Sequence, residues 1–398
     1  MQIVRHCKGL PLAIKVIGRS LSNQPYELWQ KMVEKLSQGH SILDSNTKLV
    51  ASLKKISDVL EDNSIIKECF IDLALFPENQ KIPVAALVDM WVELYGLDND
   101  GIVMANVNKL ASMNLANVLE TRYNETCTSY WSHLQPTQAE VLILNLQTSR
   151  YTFPKFLKEM SKLKVLIVIR HGFHPSEMKN FESLDSLSNL RRMRLERISV
   201  PPFVMLKNLK KLSLYFCNTR QAFENGNMLI SDALPILEDL NIDYCNDMVE
   251  LPTGLCEITS LKMLSITNCH KLSALPQEIG NLENLKLIRL SSCTDLEGIP
   301  NSIGRLSNLR HMDISNCISL PNLPEDFGNL CNLRNLYMTS CARCELPPSI
   351  INLEHLKEVV CDEETAASWD AFKPMLPNLK IDIPQLDVNL NWLHEIHS

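Results

Sequence analysis

The sequence predicts an α/β protein, most of it a leucine-rich repeat solenoid of the horseshoe type preceded by an all-α region. Three observations carry that expectation. Six cysteines, Cys217, Cys245, Cys269, Cys293, Cys317 and Cys341, recur on a schedule whose last four intervals are each 24 residues. Each closes the same phrase, L-x-x-L-x-L-x-x-C, as in Leu261, Leu264, Ile266 and Cys269; a fixed period in the twenties with this pattern marks stacked repeats. The second half of each unit recurs too, as Leu275-Pro276, Ile299-Pro300, Leu323-Pro324 and Leu346-Pro347, followed by Ile279-Gly280, Ile303-Gly304 and Phe327-Gly328. Proline cannot donate to a strand ladder, so these segments return outside the sheet as turns or short helices.

The elements follow in order. Residues 1 to about 120 show no repeat and read as helices. Trp29, Met32, Val33 and Leu36 keep helical spacing, as do Leu49, Leu53, Ile56 and Leu60. Ser64 suits the cap of a helix carrying Ile65, Cys69 and Leu73, with Pro77 beyond its end. Pro83 suits a first helical position leading Leu87, Met90, Trp91 and Leu94. A further helix carries Val103, Val107 and Leu110, and residues 115–122 read as a short strand, which together suggest a winged-helix-like module. Residues 123–138 read as a polar linker. Repeat phrases start at Ala139, Leu163, Leu190, Leu209, Leu237, Leu261, Leu285, Leu309, Leu333 and Leu356, with a partial rung at Leu379. Trp392 and Leu393 are candidates to cover the open end, since terminal repeats must hide a core edge.

The 398 residues are 45% hydrophobic and 21% charged, with a net charge of -7, which gives no general pull toward nucleic acid or acidic membranes. No run of apolar residues is long enough to span a bilayer, and the first residues, with Arg5, His6 and Lys8, do not read as a signal peptide. The repeat register gives the six cysteines a structural role. Equivalent residues of adjacent rungs lie about 5 Å apart, and a small, nearly apolar thiol suits the inside of that turn. A reducing compartment fits such thiols.

No phosphate-binding loop, dinucleotide fingerprint, zinc-protease motif or nucleophile elbow occurs, so an enzyme is not expected. His171 and His174 offer only two ligands and suit a surface turn. Cys341 and Cys344 form a lone C-x-x-C that the repeat already explains. One basic cluster stands out: Arg191, Arg192, Arg194, Arg197, Lys207, Lys210 and Lys211, on two successive rungs. It reads either as a solvated surface or as a docking patch for an acidic protein surface. Nucleic acid is disfavoured because few aromatics interleave it.

Gly9-Leu10-Pro11-Leu12-Ala13, continuing into Ile14-Lys15-Val16-Ile17-Gly18, resembles the GLPLA motif of the NB-ARC domain in plant NLR immune receptors. Cys69-Phe70-Ile71-Asp72-Leu73 through Phe76-Pro77, then Ile82-Pro83 to Met90-Trp91, resembles the later ARC motif of that family. The repeats, for example Asp243-Tyr244-Cys245-Asn246-Asp247, are similar to those of helper NLRs of the activated-disease-resistance type. The resemblance covers essentially the whole chain. It implies a partial NB-ARC region at 1–122, a linker at 123–138 and a repeat domain at 139–398. It also implies an intracellular receptor of plant innate immunity, cytoplasmic or nucleocytoplasmic, whose intact form switches between ADP-held and ATP-bound states. The repeats would bind protein through their concave face, the partner being the chain's own ARC module or lipase-like immune signalling proteins.

The departures shape the expectation. In the family a Walker A loop and an acidic Mg²⁺ motif precede GLPLA, whereas Gly9 lies eight residues after Met1's own start of the chain. The family's His-Asp motif has no match, since His133 is followed by Leu134. The expectation is a C-terminal part of a helper NLR with an internal loss of some tens of residues. The resemblance leaves Pro11 as the one adenine-contacting residue. A proline contact is worth far less than a phosphate cradle with Lys and Mg²⁺, so no bound cofactor is expected. Alternatives are a repeat adaptor, such as a ubiquitin-ligase substrate receptor, and a non-signalling regulatory fragment.

Overall fold

A computed structural model describes residues 64–73, 84–97, 100–112, 137–146, 150–170, 172, 174–223 and 228–384. The chain divides into two units, Met1–Asn124 and Glu125–Ser398.

In the first unit three helices are described, Ser64–Asp72 (α1), Val84–Tyr95 (α2) and Asp100–Ser112 (α3). Ala86 to Val92 of α2 are all buried, Asp89 included, so this helix is wrapped rather than laid on a surface. Cys69 of α1 and Val103, Val107 and Leu110 of α3 are buried as their spacing requires, whereas Ile65 and Leu73 are only half-buried and Ile66 takes the buried position in their place. The Tyr95 hydroxyl donates to Asp72 Oδ2 at 2.7 Å and ties the ends of α1 and α2 together. Pro11, the helices expected at 29–36 and 49–60, Pro77, Pro83, the strand expected at 115–122, His133, His171, Trp392 and Leu393 lie outside the described residues.

In the second unit each phrase supplies one strand of an 11-stranded parallel sheet. Its strands are Val141–Leu146 (β1), Val165–Arg170 (β3), Arg192–Glu196 (β5), Lys211–Tyr215 (β7), Asp239–Asp243 (β8), Met263–Thr267 (β9), Leu287–Arg289 (β10), His311–Asp313 (β11), Asn335–Tyr337 (β12), Glu358–Val360 (β13) and Lys380–Asp382 (β14). Arg150–Thr152 (β2), Ser176–Lys179 (β4) and Ile198–Ser199 (β6) form a second, three-stranded sheet in the early rungs. Because side chains alternate along a strand, each rung sends the leucine positions inward. Leu240, Leu264, Ile288, Met312, Leu336 and Val359 pair in register and are fully or almost fully buried. The Pro-initiated segments become single 3₁₀ turns, as at Gln277–Asn281, Asn301–Arg305 and Glu325–Asn329.

Three devices join rung to rung. The six cysteines are free and buried, and each thiol donates to a carbonyl in or just past the strand of the preceding rung, from 2.9 Å for Cys317 on Leu290 to 3.9 Å for Cys269 on Ile242. Burial pushes the Cys269 and Cys293 thiols up to about 12. The amides of Asn284, Asn308 and Asn332, one residue before each phrase, donate to the carbonyls of Thr259, Glu283 and Ser307 at 2.7–2.9 Å. Gly280, Gly304 and Gly328 let neighbouring 3₁₀ turns touch: a Cβ on Gly304 would stand 2.3 Å from the backbone oxygen of Asp326. At the last rungs Glu363–Trp369 (α4), capped by Asp362, is inserted ahead of a short 3₁₀ turn at Lys373–Met375 and puts Trp369 wholly into the core.

Candidate protein-interaction face

The strand positions that alternate with the core leucines form the second face of the sheet. On β3 they are Val165, Ile167 and Ile169, all apolar and already buried, so this column presents no exposed surface. On β5 they are Arg192, Arg194 and Glu196, on β7 Lys211, Ser213 and Tyr215, and on β8 Asp239, Asn241 and Asp243. Neighbouring columns are thus apolar, then basic, then acidic within four rungs.

The structure separates the basic residues expected from sequence into two kinds. Arg191, Lys207 and Lys210 are exposed. Arg192 and Lys211 are half-buried on this face, and Lys211 Nζ lies 3.5 Å from Asp239. Arg194 and Arg197 are buried, each 6% exposed, and share Glu196. The Arg194 guanidinium lies 3.6 Å over the Tyr215 ring and 3.8 Å from Glu196, while Arg197 pairs with Glu196 and lies 4.5 Å over Phe216. Desolvation pushes the Glu196 carboxyl up, and Arg194 opposes that rise. The expected cluster is therefore not one solvated patch. Arg194 and Arg197 build a local ion and ring stack, while Arg192 and Lys211 are half-buried on the sheet face and Arg191 and Lys210 are exposed just before the strands.

Sequence reading located the basic residues by charge but missed Val165, Ile167 and Ile169. Their signal was present: an unbroken apolar run on a strand whose sister strands alternate. It also missed Phe216 and Tyr244, which stand immediately before the cysteines, half-exposed on the sheet edge. Farther along the same face, Arg289 pairs with Asp313 at 3.2 Å and Asn335 with Glu358 at 2.9 Å. His311 is held below its ordinary range by burial and by Arg334 and Arg310. No group of three or more His, Cys, Asp or Glu among the described residues is arranged to hold a metal ion. No described helix is long and apolar enough to cross a membrane.

No protein-family model matches the chain. Among solved structures, the leucine-rich repeat domain of the type III effector XopL aligns with 73% of this chain and 99% of its own, at 18% identity and a TM-score of 0.47. Curated relatives are nearer. Probable disease resistance protein At5g66900 of Arabidopsis thaliana is 46% identical over 462 residues, covering 98% of this chain and 57% of its own length. Disease resistance protein ADR1 of the same plant is 37% identical, over 99% of this chain and 59% of its own. The chain thus spans somewhat more than half the length of these two relatives. Both alignments exceed the chain's 398 residues, so the relatives carry internal residues that this chain lacks. Probable disease resistance protein At5g66890 is 39% identical, and its match takes in 84% of this chain and 97% of its own. With the repeat architecture and this relationship in hand, the chain belongs to the family of plant disease resistance proteins.

Proposed function

We propose that the chain is the repeat-bearing part of an innate-immune receptor of the helper NLR type, working by protein binding and not by catalysis. The observation that carries this reading is relatedness to disease resistance proteins over nearly the whole chain, joined to a repeat sheet whose basic column on β5 and β7 stands beside the acidic column of β8. The half-buried Arg192 and Lys211 suit contact with an acidic protein surface. The resemblance nominates two occupants, the chain's own ARC helices and lipase-like immune signalling proteins. Free thiols throughout the described rungs support a reducing, cytoplasmic or nucleocytoplasmic setting.

A nucleotide switch belongs to this reading only for a longer receptor. This chain has Pro11 of the GLPLA motif and no phosphate-binding loop, so it holds no ADP or ATP of its own. Calorimetric titration of the chain with ADP should show no heat beyond dilution. Saturable micromolar binding abolished by Pro11→Ala would overturn that part. For the immune role, leaf co-expression with a full-length relative should change the relative's defence response, while the chain alone triggers none. A relative whose response is unchanged at every ratio would sink it.

A further inference from the structure

The residue before each ladder cysteine holds a left-handed backbone. Asn268, Ser292, Asn316 and Ser340 do so with φ of 53–60°, and short polar residues tolerate that region best. Phe216 and Tyr244 occupy the same position at φ 52° and 54°, where bulky side chains are disfavoured. Strain of this kind collects at working surfaces. Core packing does not compensate it, since Phe216 is 39% and Tyr244 38% exposed. The two rings stack with centroids 4.6 Å apart and planes 6° from parallel. Arg197 lies over Phe216, and His270 meets Tyr244 edge-on at 6.3 Å. What stays open is an apolar ridge of ring edges along the carboxyl ends of β7 and β8.

Charge changes sign across this pair. Residues 190–220 hold eight Lys or Arg and one acid, Glu196, whereas residues 221–260 hold eight acids and no Lys or Arg. On the exposed loops that leave the two strands, Arg220 follows Phe216 and Glu250 follows Tyr244. Asp247 is already engaged, accepting from the Thr219 and Arg220 backbone N–H groups at 2.6 and 2.7 Å.

An apolar centre flanked by opposite charges is its own complement under a two-fold axis. We propose that this ridge is the contact through which one copy of the chain binds a second, antiparallel copy. Phe216 of each copy meets Tyr244 of the other, and Arg220 of each faces Glu250 of the other. Exposed aromatics at the centre with charges on the rim match the anatomy of interfaces in which a few rings carry the affinity. An unrelated partner would need no such palindrome.

Sedimentation velocity of the full chain, from low to high micromolar, tests this. The expected result is a concentration-dependent dimer. Asn268 and Asn316 hold the same left-handed site on later rungs, so F216N/Y244N should fold with an unchanged or raised melting temperature. Its dimer should weaken by about tenfold or more. R220E and E250R should each weaken the dimer alone, and an equal mixture of the two should recover it, because only the mixed dimer restores both crossed pairs. A chain that stays monomeric throughout, a double variant that dimerises as well as the parent, or a mixture no tighter than either single variant would overturn the proposal.

Discussion

Gly304→Ala isolates what holds the outer side of the solenoid together. Gly304 sits in a 3₁₀ turn whose neighbour on the next rung lies unusually close. The added Cβ would meet the Asp326 carbonyl oxygen at 2.3 Å and the Asp326 Cβ at 3.0 Å. Both are atoms that move only with the backbone, so the two turns must part. Forced overpacking of this kind costs about 1–3 kcal/mol, and the stiffer unfolded chain of an alanine variant offsets about 0.4–1 of that. The net loss expected is about 1–2 kcal/mol. Gly298 provides the control six positions away in sequence, because a Cβ there meets nothing within 4 Å. Gly298→Ala should be neutral or gain up to about 1 kcal/mol. Urea unfolding followed by circular dichroism reads both as shifts in midpoint at constant slope. Gly304→Ala should lower the midpoint and Gly298→Ala should not. If Gly304→Ala is as stable as Gly298→Ala, the close approach of the turns contributes nothing and the reasoning fails. Gly280→Ala and Gly328→Ala should repeat the Gly304 result, since their Cβ atoms would lie 2.4 and 2.2 Å from the next turn's backbone oxygen.

Other expectations follow from the same contacts. Cys331 is exposed and should react quickly with a thiol reagent, while Cys245, Cys269, Cys293 and Cys317 should stay protected until the chain unfolds; labelling of all five at one rate would break the register. Burial raises Cys269 and Cys293 from 9.0 to about 12 on folding, so their stabilising share is complete below pH 9.0 and disappears as pH climbs toward 12. A melting temperature that holds constant across that window would contradict it. Asp362→Ala should cost about 1 kcal/mol, because its side chain caps α4 at Thr365 N–H, 2.9 Å away, and also accepts from Ser340 N–H. Burial pushes that carboxyl up, but these hydrogen bonds outweigh it and hold the carboxyl below 3.8, so its contribution is present above pH 3.8 and fades on acidification below it. An acid titration of stability that is identical in parent and Asp362→Ala would refute this. Arg194→Ala should destabilise by about 1–3 kcal/mol through loss of the Tyr215 stack and the Glu196 partner, whereas exposed Arg191→Ala should stay within about 0.5 kcal/mol; equal melting temperatures would return Arg194 to the solvated surface.

The repeat architecture was legible because one unit is written many times. A leucine, a cysteine or a proline that returns every 24 residues must occupy one environment, so periodicity alone assigns strand, inward face and outer turn. The cysteine ladder followed for the same reason: a position shared by adjacent rungs has two equivalent neighbours and no single disulfide partner. Helices α1, α2 and α3 were legible from apolar spacing, although spacing did not show that α2 is enclosed on all sides. That depends on which helices surround it.

What periodicity could not supply was any property of a residue that breaks the repeat. Arg192, Arg194 and Arg197 look alike in a charge count, yet Arg194 and Arg197 are buried beside Glu196 and against Tyr215 and Phe216, two rings supplied by the next rung. Phe216 and Tyr244 read as ordinary aromatics until their φ, their exposure and their mutual stacking are known together. Gly304 and Gly298 are both glycines in the outer half of a repeat, and only the distance to the next turn makes one indispensable. Local pattern determines which face a side chain takes, because backbone geometry alternates with a fixed period. Contact between rungs decides what that side chain meets, because it depends on residues some 24 positions away whose identity the period leaves open.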